Sequence, residues 1–237
     1  MTSNKENLHE GHRQRLKERF IAEGLDNFPE HNILELALFY TNKRKDTNEI
    51  AHALIKRFGS FAGVCDASFE SLCSVPGVGA ETAKFLKLLP ELARAYQTSR
   101  TADITSLPDA STAIEYLQPK FTGRTKECLI VAYLDCSYKI LNCRVESEGD
   151  DTTVIMDVSG ILVEAASLHA RGVVLAHNHP HGYALPSAQD IAMTDNIAKI
   201  LKEINVNVCE HFIFSRDEVC RMSEVQAAAR DFYSYPE

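Results

Sequence analysis

His177 to Asp190 reads HNHPHGYALPSAQD and gathers on one short stretch the side chains best suited to holding a metal ion. His177 and His179 are two residues apart, and side chains of an extended strand alternate with a period of two, so both imidazoles project to the same side. The Pro180 to Pro186 loop can fold Asp190, in the first turn of the next helix, back towards them. Two imidazoles and a carboxylate suit zinc and leave a fourth tetrahedral position for water, as catalytic rather than structural sites require. The chemistry implied is metal-activated water. Plainer readings exist for each piece: Ser187 with Asp190 three residues on is an acceptable capping box, and His177 could be a satisfied core histidine. The tripeptide HNH only spells the name of a nuclease family, whose residues are scattered through a longer motif. A zinc deaminase is a poor fit because its H-x-E and P-C-x-x-C elements are missing. Taken together, H-x-H, seven residues, Ser, two residues, Asp, at the end of an apolar strand, is a specific pattern.

The elements that must position these residues can be read around them. GVVLAHNH (172–179) is apolar except at its C-terminal end, the signature of a buried central strand. A helix from Ser187 to about Glu203 follows and carries Asp190. CLIVAYLD (128–135) and KILNCRVES (139–147) read as neighbouring strands around a turn at Cys136 to Tyr138, with further strands at 152–157 and 206–214. Helices are expected at 110–118, at 160–170 and in the tail from Ser223. This alternation predicts a mixed α/β sandwich over residues 106–237.

The first half is helical in texture. Residues 8–24 set Leu8, Leu16, Phe20 and Ile21 among His12, Arg13, Arg15, Lys17 and Arg19, a pattern that predicts a helix with a basic outer face. Helices follow at 32–40, at 47–59 with Thr47 as N-cap and Gly59 as C-terminal stop, and at 68–74 with Asp66 available as a cap. In VPGVGAETAKFLKLLPELARAY (75–96), Gly77 and Gly79 flank one apolar residue and lead into a helix, a helix-hairpin-helix signature spanning about 67–96. Glycines there allow a tight turn and bring amide N–H groups up to a phosphate at a helix N-terminus, a contact that Lys84 and Lys87 could supplement. The plainer reading is a turn joining two packed helices. The polar stretch TSRTADITSLPD (98–109) has no periodicity, which places a boundary between a helical domain, 1–100, and the second domain, 106–237.

A chain of 237 residues with 45% apolar and 24% charged residues has room for two cores. No apolar run approaches the roughly 20 residues of a membrane span, and the polar N-terminus lacks a secretory signal. Seven cysteines form no C-x-x-C pair and are odd in number, so they are read as reduced thiols of a cytosolic protein. The net charge of −8 is uneven, since residues 1–105 balance 14 basic against 14 acidic side chains. The acidic second half would repel a phosphate backbone, so any nucleic-acid contact should come from the first.

His177-x-His179-(seven)-Ser187-x-x-Asp190 resembles the JAMM motif of the MPN-type metalloprotease fold, and LAHNHPHGYALPSAQDIAMT resembles its bacterial RadC-like branch. GHRQRLKERF, IAHALIKRFGSF and the glycine hairpin are similar to that family's N-terminal region, so the likeness spans nearly the whole chain. It implies an α+β protein, an all-helical helix-hairpin-helix domain followed by a JAMM/MPN sandwich layered like cytidine deaminases. It further implies one Zn2+ held by His177, His179 and Asp190, and an oxyanion hydrogen bond from Ser187. A glutamate at the start of an early strand would hold the water and shuttle its proton; by position this is Glu127, with Glu146 and Glu148 as rivals. Departures from the pattern are His181 after HNHP, the acidic GDDT (149–152), and Glu210-His211 where Asp-His is commoner. The expected function is a zinc hydrolase acting on peptide or isopeptide bonds of a protein or peptide substrate. The alternative is a DNA-associated repair or recombination accessory protein whose metal site is structural or acts on nucleic acid. Oligomeric state is left open.

Overall fold

In the computed structural model, residues 3–42, 46–148, 158–216 and 218–233 are described. The strand expected at 152–157, the GDDT segment and the side chain of Glu148 lie outside them. The chain divides into two compact units, Met1–Leu92 and Ala93–Glu237. Among the described residues no helix is long and apolar enough to cross a membrane, and the seven cysteines form no disulfide.

The first unit is built from helices α1 (Ser3–Glu23), α2 (Glu30–Leu38), α3 (Asn48–Phe58), α4 (Phe61–Asp66) and α5 (Phe69–Cys73), and from the start of α6 (Ala80–Arg100). Its main core joins Leu34, Leu38, Leu54, Leu72 and Leu86, and a smaller cluster joins Leu16, Phe28, Leu36 and Phe39. Ile21, expected on the apolar face of α1, is instead 81% exposed. Some of that helix's cations lie over aromatic rings, Arg13 over Phe39 at 4.5 Å and Arg19 over Phe28 at 4.6 Å. Thr47 holds the N-cap position of α3, but its side chain makes no capping bond; Asp46 Oδ1 instead accepts the Asn48 N–H at 2.9 Å. Helix α4 was not expected from the sequence. Six residues are too few to show a period, and its start depends on one bond, Gly63 N–H to Ser60 Oγ at 3.0 Å. Asp66 closes α4 rather than capping the next helix, a task taken by Ser68, which accepts the Ser71 N–H.

The second unit is a five-stranded sheet of order β2-β1-β3-β4-β5. The strands are β1 (Cys128–Leu134), β2 (Ile140–Glu148), β3 (Gly172–Asn178), β4 (Asn207–Phe214) and β5 (Val219–Arg221). β1 runs antiparallel to both β2 and β3, β3 is parallel to β4, and β4 is antiparallel to β5. Helix α7 (Ala110–Leu117) and the 3-10 turn Gln118–Phe121 cover one face, packing Leu117 and Phe121 on Ile130, Ala132, Val174 and Phe214. Helices α8 (Val158–Ser167) and α9 (Ala188–Lys202) cover the other, packing Ile161, Ala165, Ile197 and Leu201 on Leu129, Val131, Val173 and Leu175. Helix α10 (Met222–Tyr233) follows β5. Two of the three inner strands, β1 and β3, are buried along their whole length, which is why they read as continuous apolar runs. The architecture is therefore α+β, N-terminal helices followed by a mixed sheet with helices.

The 98–109 stretch is more structured than its composition suggested. Helix α6 runs on to Arg100. Beyond it, Thr105 O accepts the Ile140 N–H at 2.9 Å and the Leu107 N–H reaches Tyr138 O at 2.9 Å, so 105–107 are built onto the β1–β2 hairpin. Leu107 itself is in the core.

Candidate metal centre

β3 emerges from the sheet with His177 as the partner of Leu129 on β1 and Ile213 on β4. Leu129 and Leu175 face α8 and α9, so His177 and, two residues on, His179 face that side as well. The ladder to β4 continues for one more bond, His179 N–H to Phe214 O at 2.8 Å, which keeps the second histidine in register with the first. Asp190 arrives from the first turn of α9, which begins at a complete capping box: the Ser187 side chain accepts the Asp190 N–H, and the Asp190 carboxylate accepts the Ser187 N–H.

This brings His177, His179 and Asp190 together, with one ligand atom of each within 4.8 Å of the others. His177 Nε2 lies 2.9 Å from His179 Nε2 and 3.3 Å from Asp190 Oδ1, and His179 Nε2 lies 3.7 Å from Asp190 Oδ2. Ligands about 2.0–2.1 Å from a tetrahedral zinc stand about 3.3 Å apart, and the separations here, 2.9, 3.3 and 3.7 Å with the two Asp190 contacts made by different oxygens, lie around that length. His177 is closed off at 3% side-chain exposure, whereas His179 and Asp190 are open to solvent at 16% and 13%.

Electrostatics follow from this placement. Burial pushes the His177 pKa down to about 4, so its ring is neutral and available as a ligand at neutral pH. The carboxylate of Asp190 raises that of His179. Burial alone would raise the pKa of Asp190, but His179, His177 and the Ser187 hydrogen bonds together hold it well below the usual carboxylate range.

Glu127 immediately precedes β1. Running the antiparallel register back from the Leu129–His177 pair sets Glu127 against His179, on the face of the candidate ligands. Burial raises its pKa, and His179 opposes the rise. Glu146 is occupied elsewhere: it accepts the Tyr133 hydroxyl and pairs with Arg144 at 3.1 Å, at 2% exposure. Ser187 is exposed, and its hydroxyl donates to Asp190 Oδ2 at 2.7 Å. His181 is exposed and lines a cleft of about 420 Å³ with Tyr183, Arg216 and Glu218.

Three residues with no sequence-based role also belong to the site. Asn178, buried between the two histidines and pointing to the opposite face, accepts the Cys128 N–H at 2.8 Å and donates to Lys126 O at 3.1 Å. It therefore straps the peptide groups on both sides of Glu127. His211 and Thr194, from β4 and α9, stand behind His177: His211 Nε2 is 2.7 Å from His177 Nδ1, and Thr194 Oγ1 is 2.6 Å from His211 Nδ1. In the sequence, Glu210-His211 stood out only as a departure from the family pattern. Thr194, four residues after Asp190 and so on the same helix face, was the available signal.

The residues assigned to nucleic acid lie in the first unit and divide in role. Gly77 has φ +90°, and a Cβ there would meet Ile50 at 2.9 Å, whereas Gly79 opens on free space. Lys87 is engaged internally, its ammonium donating to the carbonyls of Cys65 and Asp66 at the end of α4. Lys84 is exposed and paired with Glu81 at 2.7 Å.

A mixed α+β sheet carrying a His/His/Asp set at the end of a buried strand defines the class of metal-competent JAB-type domains. The model of the RadC-like JAB domain matches residues 107–227 of this chain. The UPF0758 protein FN0909 of Fusobacterium nucleatum subsp. nucleatum is 33% identical over 215 residues, covering 88% of this chain and 93% of that relative. The chain belongs to the RadC-like JAB family.

Proposed function

We propose that the protein is a zinc-dependent hydrolase of the metallopeptidase or isopeptidase type, acting on an amide bond of a protein or peptide. The observation that carries this reading is the ligand spacing at the mouth of β3, with Glu127 on the same face. Zinc, when bound, supplies a Lewis acid that makes water a competent nucleophile near neutral pH. His177, His179 and Asp190 would hold it, and three protein ligands leave a position open, as catalysis requires.

Glu127 takes the proton from the attacking water and returns it to the departing amine. A carboxyl group whose pKa burial has raised is the better matched to that exchange. Ser187 donates to the oxyanion. Its lone pair already receives the Asp190 N–H, so turning the hydroxyl hydrogen away from Asp190 Oδ2 leaves the cap of α9 intact.

Protein purified without chelator is expected to carry about one zinc per chain. His179→Ala should lose it, whereas Glu127→Gln should keep the metal and abolish cleavage across a panel of peptide and isopeptide amides. A chain that is isolated metal-free and takes up no added zinc sinks the reading. Zinc retained with cleavage unaffected by Glu127→Gln would remove Glu127 from the role of base, and zinc retained with no amide cleaved would make the site structural.

A further inference from the structure

We propose that Thr194 and His211 form a positioning relay that fixes the tautomer of His177 and turns the Nε2 lone pair of that ring towards His179 and Asp190. The proposal deepens the metal reading above, yet its core can be observed in protein without metal.

The direction of each bond follows from which atoms can only accept. Thr194 Oγ1 lies 2.7 Å from the backbone carbonyl oxygen of Asp190 and 2.6 Å from His211 Nδ1. A hydroxyl has one hydrogen and a carbonyl has none, so that hydrogen goes to Asp190 O, and Thr194 Oγ1 must accept from His211 Nδ1–H. In the neutral His211 ring Nε2 then carries no hydrogen and accepts, at 2.7 Å, from His177 Nδ1–H. Both rings are buried, at 1% and 3% exposure, which favours the neutral forms that this assignment needs. His177 Nε2 is thereby left as a lone pair.

The second imidazole is fixed independently. His179 Nδ1 stands 2.9 Å from the Tyr183 carbonyl oxygen, so it donates there and its Nε2 is also a lone pair in the neutral ring. Two lone pairs 2.9 Å apart repel unless a cation lies between them. If the relay ran the other way, His177 Nε2–H would simply donate to His179 Nε2, and the pair would be satisfied with no ion. The hydroxyl of Thr194 and its bond to Asp190 O decide between these arrangements. The relay also starts on the backbone of Asp190, so α9 supplies the carboxylate and, through β4, sets the ring state of the ligand on β3.

The test uses the full chain freed of metal by chelator. Long-range 1H–15N spectra of the histidine rings should show both His177 and His211 protonated at Nδ1. Thr194→Val keeps the shape and removes the hydroxyl; His211 should then lose its fixed Nδ1–H form, and apparent zinc affinity, read by competition with a chromophoric chelator, should fall about 10- to 100-fold. Thr194→Ser should restore both readouts to within about twofold of the native chain. His177 protonated at Nε2 in the native chain overturns the relay, whether or not the valine variant folds. So does a Thr194→Val chain with unchanged tautomers and affinity. Nδ1–H tautomers in place with no uptake of zinc would uphold the relay while removing the metal reading.

Discussion

Asn178→Ala separates the scaffold of the proposed general base, Glu127, from the candidate ligands on either side of Asn178. Asn178 is 4% exposed and makes two bonds, accepting the Cys128 N–H at 2.8 Å and donating to Lys126 O at 3.1 Å. Depriving a buried donor of its acceptor costs about 1–3 kcal/mol, and the second bond adds about 0.5–1.5 kcal/mol. A loss of about 2–4 kcal/mol leaves a domain with the usual ~5–15 kcal/mol of stability folded. The functional loss should be the larger one. The strap holds the peptide groups that flank Glu127, and a misplacement of about 1 Å of a catalytic group can cost about 100-fold in rate. Turnover of a cleavable amide is therefore expected to fall at least about tenfold in protein that is still folded. Zinc content should not change, because His177 and His179 face the other side of β3. Urea titration, metal analysis and turnover on the same preparation read all three. Asn178→Asp keeps an acceptor for Cys128 but sets a carboxylate against Lys126 O, so it should not rescue turnover. Native stability and turnover in Asn178→Ala would refute the strap, and loss of zinc would show that Asn178 acts through the ligands instead.

Three further outcomes are expected. Burial lowers the pKa of His177 to about 4 and of His211 to about 3, so below pH ~6.5 the unfolded chain takes protons that the folded chain refuses. Each ring then removes stability at up to about 1.4 kcal/mol per pH unit as pH falls towards its folded value, while His179, raised by Asp190, acts with the opposite sign. The contribution of His179 is complete below pH ~6.5, and only Glu127, whose pKa burial raises, opposes the two rings in the acid range, so the urea midpoint of metal-free protein should drop between pH 6.5 and 4.5, and a flat profile would contradict the burial argument. Gly77→Ala places a Cβ 2.9 Å from Ile50 at φ +90° and should lower stability by about 1–3 kcal/mol, read as a shift in thermal midpoint; a neutral effect would show that the turn relaxes freely. We propose DNA contact as a separate property of the first unit, in which Lys84 can exchange its exposed and therefore weak pairing with Glu81 for a phosphate. Duplex retardation at low salt, weakened by Lys84→Ala, is expected, and none at low salt removes the proposal.

The buried strands and the helices between them were legible because each is long enough to show either a continuous apolar run, as in GVVLAHNH, or a period, as in the helix following Ser187. What escaped was short or relational. Helix α4 depends on the Ser60 cap and has too few residues to display a face. Residues 105–107 look like a linker by composition but are bonded to the β1–β2 hairpin. The choice among Glu127, Glu146 and Glu148 has no spacing rule in the chain. It depends on strand register, which sets Glu127 against His179 while Glu146 is taken up by Tyr133 and Arg144. Asn178 carries no signature of its own, since a hydrogen bond between distant segments leaves no mark on local sequence, and Thr194 is marked only by its spacing of four from Asp190.

The Ser187–Asp190 pair shows why the plain and the chemical readings of one motif need not compete. As a capping box alone the pair would explain both residues, and it is indeed a complete one. The two carboxylate oxygens, however, take different partners: Oδ2 receives the Ser187 N–H and hydroxyl, each at 2.7 Å, and stands 3.7 Å from His179 Nε2, while Oδ1 faces His177 Nε2 at 3.3 Å. The cap thus fixes the rotation of the carboxylate that aims Oδ1 at the imidazole. A helix start that needs an acidic side chain for its own stability supplies an oriented anion with no further element, so substitution of Ser187 by alanine should disturb metal affinity as well as the start of α9. Ser187→Ala in which zinc affinity is untouched would break that coupling and return the pair to the status of a cap.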